Sequence, residues 1–151
     1  FMFEPRDQHY KERVKRSFAS QSAMATMNIH LISVKPGLIQ MELRKNKNIL
    51  QQQGFIHGGV IASALDSACG FAALTLSEKN YEVLTIEFKT SFFYPANSDV
   101  LSIKGKVIKS GKRVMFCESE AFSYFKEKER LISKMTTSIA MVEMPEGWTP
   151  I

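Results

Sequence analysis

A chain of 151 residues, 44% apolar and 23% charged, suits one domain spanning 1–151 that buries roughly two-thirds of its unfolded surface. Its formal charge of +5 is spread over scattered lysines and arginines, without zinc-finger spacing, an aromatic RNA-binding signature or a basic helix, which argues against nucleic acid as partner. Residues 1–16 are too charged for a secretion signal, and residues 54–76, long enough to span a bilayer, contain glycines, serines, His57 and Asp66.

A cytoplasmic protein with no membrane contact is therefore expected. Cys69 and Cys117 fit free core thiols in a reducing compartment better than a disulfide framework. The mild positive potential suits a polyanionic small molecule as well as it suits a nucleic acid.

In chain order, residues 7–25 predict an amphipathic helix, with Tyr10, Val14, Phe18, Gln21 and Ala25 spaced three or four apart. Residues 28–34 and 38–43 predict two strands joined by the turn dipeptide Pro36-Gly37. A polar loop over 44–53 leads into a helix over about 58–77, opened by two glycines and apolar on every side. Such a helix belongs inside something.

The pattern then changes to period two. Leu84, Ile86, Phe88, Thr90, Phe92 and Tyr94 alternate with Thr85, Glu87, Lys89 and Ser91, which predicts a half-buried strand ended by Pro95. Strands follow over 100–108, 114–125 and 131–142, with turns at Ser110-Gly111 and over 126–129, and an irregular tail over 145–151. Four long strands in meander after one buried helix predict an α+β fold, an antiparallel sheet curved around the helix, with a core over about 28–142.

From Asn48 to Ser77, thirty residues carry one formal charge, that of Asp66. An ionised carboxylate in an apolar helix without a partner costs several kcal/mol or is driven neutral, so Asp66 is the candidate for chemistry. Gly58 and Gly59 open the same helix, where N–H groups lack intrahelical partners and suit an anion or a polarised carbonyl. The same glycines also fit a tight turn and nothing more.

Gly58 and Asp66 stand eight residues apart, roughly 12 Å along a helix, whereas a base works at about 3 Å. Two antiparallel helices from two copies would bring them together, each lending its glycine end to the other's carboxylate. A homodimer with two interfacial sites is therefore expected. His9, His30 and His57 show no metal-ligand spacing, and the glycines match no phosphate loop, so neither metal nor cofactor is expected.

Cys69 lies twelve residues, about 18 Å of helix, beyond His57 and is a poor nucleophile candidate. Ser63 and Ser67 fit backbone bonding within a helix. Met24, Met27, Met115 and Met135 fit the core or the lining of an acyl pocket. Lys104, Lys106, Lys109, Lys112 and Arg113 fit a solvated hairpin, or a contact with coenzyme A phosphates.

The run His57-Gly58-Gly59, followed by Asp66-Ser67-Ala68-Cys69-Gly70, resembles the signature of hotdog-fold acyl-thioester hydrolases of the phenylacetate-pathway (PaaI-like) type. The resemblance extends from Gln51-Gln52-Gln53-Gly54-Phe55 through Leu84-Thr85-Ile86-Glu87-Phe88-Lys89 to Pro95-Ala96, and covers about residues 12–142. It implies an acyl-CoA thioesterase, with acyl carrier protein thioesters as the other carrier class, and a homotetramer as the assembly.

The same resemblance implies residue roles. The Gly58 amide holds the substrate carbonyl as an oxyanion hole, and Asp66 of the facing subunit activates water or attacks directly. Gln51 stands where some members carry an asparagine, and Thr85 where some carry a serine. Gln52, Gly59 and Ser67 fall beside the substrate. His57 either braces its loop or approaches the thioester sulfur, and Thr85 either positions water or faces solvent. A hydroxyacyl-thioester dehydratase pairing His57 with Asp66, and a non-catalytic acyl-CoA-binding module, are the alternative activities.

Overall fold

The computed structural model describes residues 2–149. Helix α1 (Tyr10–Ser20) is followed by the short α2 (Ser22–Thr26), then strands β1 (Ile29–Lys35) and β2 (Leu38–Arg44). The central helix α3 (Gly58–Leu74) precedes β3 (Tyr81–Phe92), β4 (Val100–Ser110), β5 (Val114–Phe125) and β6 (Lys128–Glu143). The six strands form one antiparallel sheet in the order β1-β2-β4-β5-β6-β3, curved around α3. This is the expected hotdog architecture.

The first helix breaks where one continuous element was expected. Gln21 is extended, at φ −83° and ψ 91°, and separates α1 from α2. The break turns the chain so that Met24, rather than Gln21 or Ala25, enters the core. Asn28, expected within a strand, instead turns the chain at φ 58°, a conformation asparagine tolerates better than most side chains. The helix ends at Leu74 rather than Ser77, where the Thr75 hydroxyl donates to Ala72 O and accepts from Gly37 N.

The expected four-strand meander is also corrected. Strands β4, β5 and β6 are consecutive neighbours, but β3 pairs with β6 and β4 pairs with β2. Pro95 and the loop after it carry the chain from one edge of the sheet to its middle. The β5–β6 hairpin is tighter than expected, because Lys126 and Glu127 both adopt positive φ and let β6 begin at Lys128.

Helix and sheet meet closely at one point. A Cβ on Gly105 of β4 would lie 2.5 Å from the Ala68 carbonyl oxygen, so only glycine permits this approach. The Ser119 hydroxyl of β5 donates to Leu65 O at 2.9 Å and ties the same stretch of α3 to the sheet. Leu65, Ala68 and Ala72 of the helix pack with Ile103, Met115 and Ile139 in the core. Met24, Met115 and Met135 are buried there, with Met27 packed against its margin.

The central helix is not apolar all round. Ile61, Ala64, Leu65, Ala68 and Cys69 are buried against the sheet, whereas Ser63, Asp66, Ser67 and Gly70 are half-buried. Their spacing of three and four places these last residues on one face of the helix. Asp66 therefore looks out of the core.

Strand β3 forms one edge of the sheet and is far more exposed than a half-buried strand. Leu84 is 60% and Ile86 56% accessible. Its register with β6 shifts between Thr85 and Glu87, so that Ile86 is an extra residue, a β-bulge.

Candidate active site

The glycine end of α3 is built by its preceding loop. His57 caps the helix, its Nδ1 accepting from the Gly59 N–H at 2.8 Å. Bracing is thus the bond His57 makes. A Cβ on Gly59 would lie 3.0 Å from that same nitrogen and would press on the capping ring. The cap occupies the Gly59 amide and leaves the Gly58 N–H as the donor without an acceptor among the described residues.

Gly58 faces a cavity of about 360 Å³, shared with Gln51, Gln53, Phe55, Phe92 and Tyr94. The Phe92 ring lies 3.4 Å from where a Gly58 Cβ would sit, so a larger side chain would crowd this wall. The Gln51 side-chain oxygen accepts from the Gln53 and Phe55 amides, and its nitrogen donates to Gln53 Oε1 at 2.9 Å. Gln51 thus holds its own turn together beside Gly58. Gln52 is exposed at the tip of that turn, and its neighbour Gln53 lines the cavity instead.

The carboxylate end faces a different space. Asp66 and Ser67 line a cavity of about 480 Å³ with Gly70, Phe71 and Thr85. The Thr85 hydroxyl donates to Asp66 Oδ1 at 2.7 Å. Ser63 bonds the Gly59 carbonyl at 2.9 Å within the helix.

The bulge creates the Thr85–Asp66 contact. Paired residues on neighbouring strands share a face, and Thr85 pairs with the buried Ile139 while Phe88 pairs with the buried Thr137. Thr85 therefore points to the helix side of the sheet together with Phe88. Strict alternation would have put them on opposite faces.

Both cysteines are buried in the core. Burial pushes the Cys69 thiol far up, and it pushes Cys117 up to about 12. Lys104 lies over the Phe122 ring and pairs with Glu129 at 3.4 Å, while Lys106 pairs with Glu118 at 3.9 Å. Both lysines lie on the outer sheet face, away from the two cavities. Among the described residues no group of three potential metal-ligating side chains occurs, and no helix is long and apolar enough to cross a membrane.

Some cavity walls had not been expected as site residues. Phe92, Phe93 and Tyr94 wall the Gly58 cavity, and Ser17, Ser20 and Trp148 wall the Asp66 cavity. The aromatic run before Pro95 interrupts the period-two pattern and is the one sequence signal for the first group. The second group depends on where α1 and the tail after β6 land against α3, which no local pattern encodes.

Comparison with known proteins agrees with this architecture. The family model described as Thioesterase superfamily matches residues 53–125, which include both glycines, Asp66 and Thr85. A crystal structure of a thioesterase family protein from Silicibacter pomeroyi superposes with a TM-score of 0.87 at 33% identity, covering 89% of this chain and 99% of that one. The E. coli PaaI protein from the phenylacetic acid degradation operon superposes with a TM-score of 0.76 at 15% identity, covering 89% and 94%.

A Saccharolobus solfataricus protein provisionally named an esterase is 32% identical over 94 residues, which are 62% of this chain and 66% of that protein. A second such protein from the same organism is 28% identical over 64% of this chain and 63% of its own length. The chain thus spans about two thirds of the length of the curated relatives it matches.

Proposed function

Because this chain belongs to the thioesterase superfamily, we propose that it is an acyl-CoA thioesterase that hydrolyses an acyl or aryl thioester at sites shared between two copies. The observation that carries this reading is the separation of Gly58 and Asp66 into two cavities of one protomer. Each cavity holds half of what thioester hydrolysis needs. One offers an unpaired amide donor for a carbonyl oxygen, and the other offers a carboxylate held by a hydroxyl.

The exposed edge strand supports the dimer. An edge strand of twelve residues, with Leu84, Ile86, Phe88 and Phe92 exposed, is a template for pairing with another strand. Antiparallel pairing of β3 with its copy extends the sheet and sets two α3 helices side by side. Pairing of two such dimers gives the homotetramer that the family resemblance implies.

In the reaction, the thioester carbonyl oxygen accepts from the Gly58 N–H of one copy. Asp66 of the other removes a proton from water, whose oxygen bonds to the carbonyl carbon. The resulting oxyanion rests on the Gly58 amide. Its collapse breaks the carbon–sulfur bond, releasing the acid and a thiolate that takes up a proton. Direct attack by the Asp66 carboxylate, giving an anhydride that water then cleaves, leads to the same products. Oxygen-18 from solvent enters the Asp66 carboxylate only by the second route. Thr85 fixes the Asp66 carboxylate, and Gln51, Gln52, Gly59 and Ser67 border the bound substrate. Arg130, stacked 4.3 Å from the Tyr94 ring at the Gly58 cavity, offers a cation for the anionic carrier.

Mixed dimers test the arrangement. Asp66→Asn removes the base, and Gly58→Pro removes the amide at a first helical position that tolerates proline. Each variant alone is expected to be inactive in a thiol-release assay over aliphatic and aryl thioesters. A heterodimer of the two retains one complete shared site and recovers activity. No recovery in verified heterodimers would refute the shared site. Dehydration of a hydroxyacyl thioester without thiol release would assign the alternative chemistry, and ligand binding without turnover a binding module.

A further inference from the structure

Gly70 is a residue of the Asp66 face whose presence the protomer's own packing leaves unexplained. A Cβ built there meets nothing within 4 Å, whereas the Cβ of a residue at 105 would strike the backbone of Ala68. Glycine inside a helix costs about 1 kcal/mol relative to alanine. The same helix uses alanine at 62, 64, 68, 72 and 73. Among the described residues, no contact offsets the cost at Gly70.

Gly70 lies four residues beyond Asp66, roughly 6 Å along the helix and on the same face. It lines the same cavity, whose walls beyond it are the apolar Phe71, Leu74, Val83 and Leu84 together with the polar Gln21 and Glu82. A carbonyl held for attack at Asp66 thus has a partly apolar space one helical turn away, kept open by a missing methyl group.

We propose that Gly70 is a specificity-determining position, which admits thioesters whose acyl group is long or broad enough to pass one turn of α3 beyond Asp66. This inference rests on the thioesterase reading above. It assigns the substrate class as medium-chain or aryl acyl thioesters rather than acetyl or propionyl thioesters. Ser17, Ser20 and Trp148 close the far side of the same space.

The test is a series of straight-chain acyl-CoA thioesters and one aryl thioester, assayed by thiol release with wild type, Gly70→Ala and Gly70→Leu. Gly70→Leu is expected to lower kcat/KM for the longest and the aryl substrates roughly tenfold or more relative to acetyl-CoA, mainly through KM. Gly70→Ala should give a smaller shift in the same direction while melting at a higher temperature than wild type.

An equal loss for every acyl group would overturn the assignment and leave the thioesterase reading standing. So would a loss that follows a change in oligomeric mass in ultracentrifugation, because Gly70 would then be spacing two copies. Failure of wild type to release thiol from any substrate would overturn both.

Discussion

The Thr85 hydroxyl donates to Asp66 Oδ1 at 2.7 Å, joining the edge strand to the central helix across nineteen residues of sequence. The bond exists because Ile86 is inserted as a bulge and aims Thr85 at the helix rather than at the outer face. Thr85→Val keeps the shape and removes the donor. A hydrogen bond to a charged group is worth roughly 1.5–3 kcal/mol, so kcat should fall about ten- to a hundredfold with KM little changed. Thr85→Ser should restore most of the loss in the same assay. Equal rates for the valine variant and wild type would mean that the hydroxyl has no part in turnover.

Gly105 controls how closely the helix lies on the sheet. In Gly105→Ala the new methyl meets the Ala68 backbone at 2.5 Å, and neither partner is a flexible side chain. Overpacking of this kind costs roughly 1–3 kcal/mol. Urea unfolding should show the loss as a lower midpoint with an unchanged slope. Because α3 must shift outward as a unit, activity is also expected to fall before the protein unfolds.

Arg13 anchors α1 to the segment after α3. Its guanidinium is buried, donates to the Glu78 carbonyl at 2.8 Å and to the Tyr81 carbonyl, and pairs with Asp7 at 3.7 Å. Arg13→Met fills the space but takes one donor from the Glu78 and Tyr81 carbonyls and the cation from Asp7, whose carboxylate then keeps the His9 amide, for a cost of roughly 3 kcal/mol. Arg13→Lys should recover only part of it, since a single ammonium cannot fork between the carbonyls. Thermal melting of the three proteins gives the comparison.

Most of the fold was legible in the sequence because its elements have strong periods. The glycine-opened run to Leu74 reads as a helix, and the strands from 100 onward read as strands. The partner of β3 was not legible, since alternation places a strand on a sheet without naming its neighbour. Nor was the bulge, because Thr85-Ile86-Glu87 looks like unbroken alternation until the register with Ile139 and Ser138 is known.

At the proposed site, Asp66 stood out by contrast with its surroundings, as one charge among thirty residues. Which glycine amide stays free was legible from the family resemblance, which pointed to Gly58, and not from the residues themselves. That depends on the His57 ring turning back onto Gly59, and a side-chain rotamer leaves no periodic trace. The outward face of Asp66 was hidden for a similar reason. Alanines and glycines around it read as apolar, yet their small size leaves the helix face open.

Glu82 gives the chain a pH dependence whose sign follows from its surroundings. Burial holds its carboxyl above the ordinary glutamate range, against the opposing pull of Arg13 and then Arg16. In the window between the ordinary value and the raised one, the folded protein therefore binds more protons than the unfolded chain. Stability must fall as pH rises through that window, and the loss is complete above it. Glu82→Gln removes the titration, so its unfolding free energy should be flatter across mildly acidic pH and at least equal to wild type at neutrality. Urea midpoints at a series of pH values measure this directly. A variant that is instead weaker at neutral pH would show that the attraction of Arg13 and Arg16 outweighs burial.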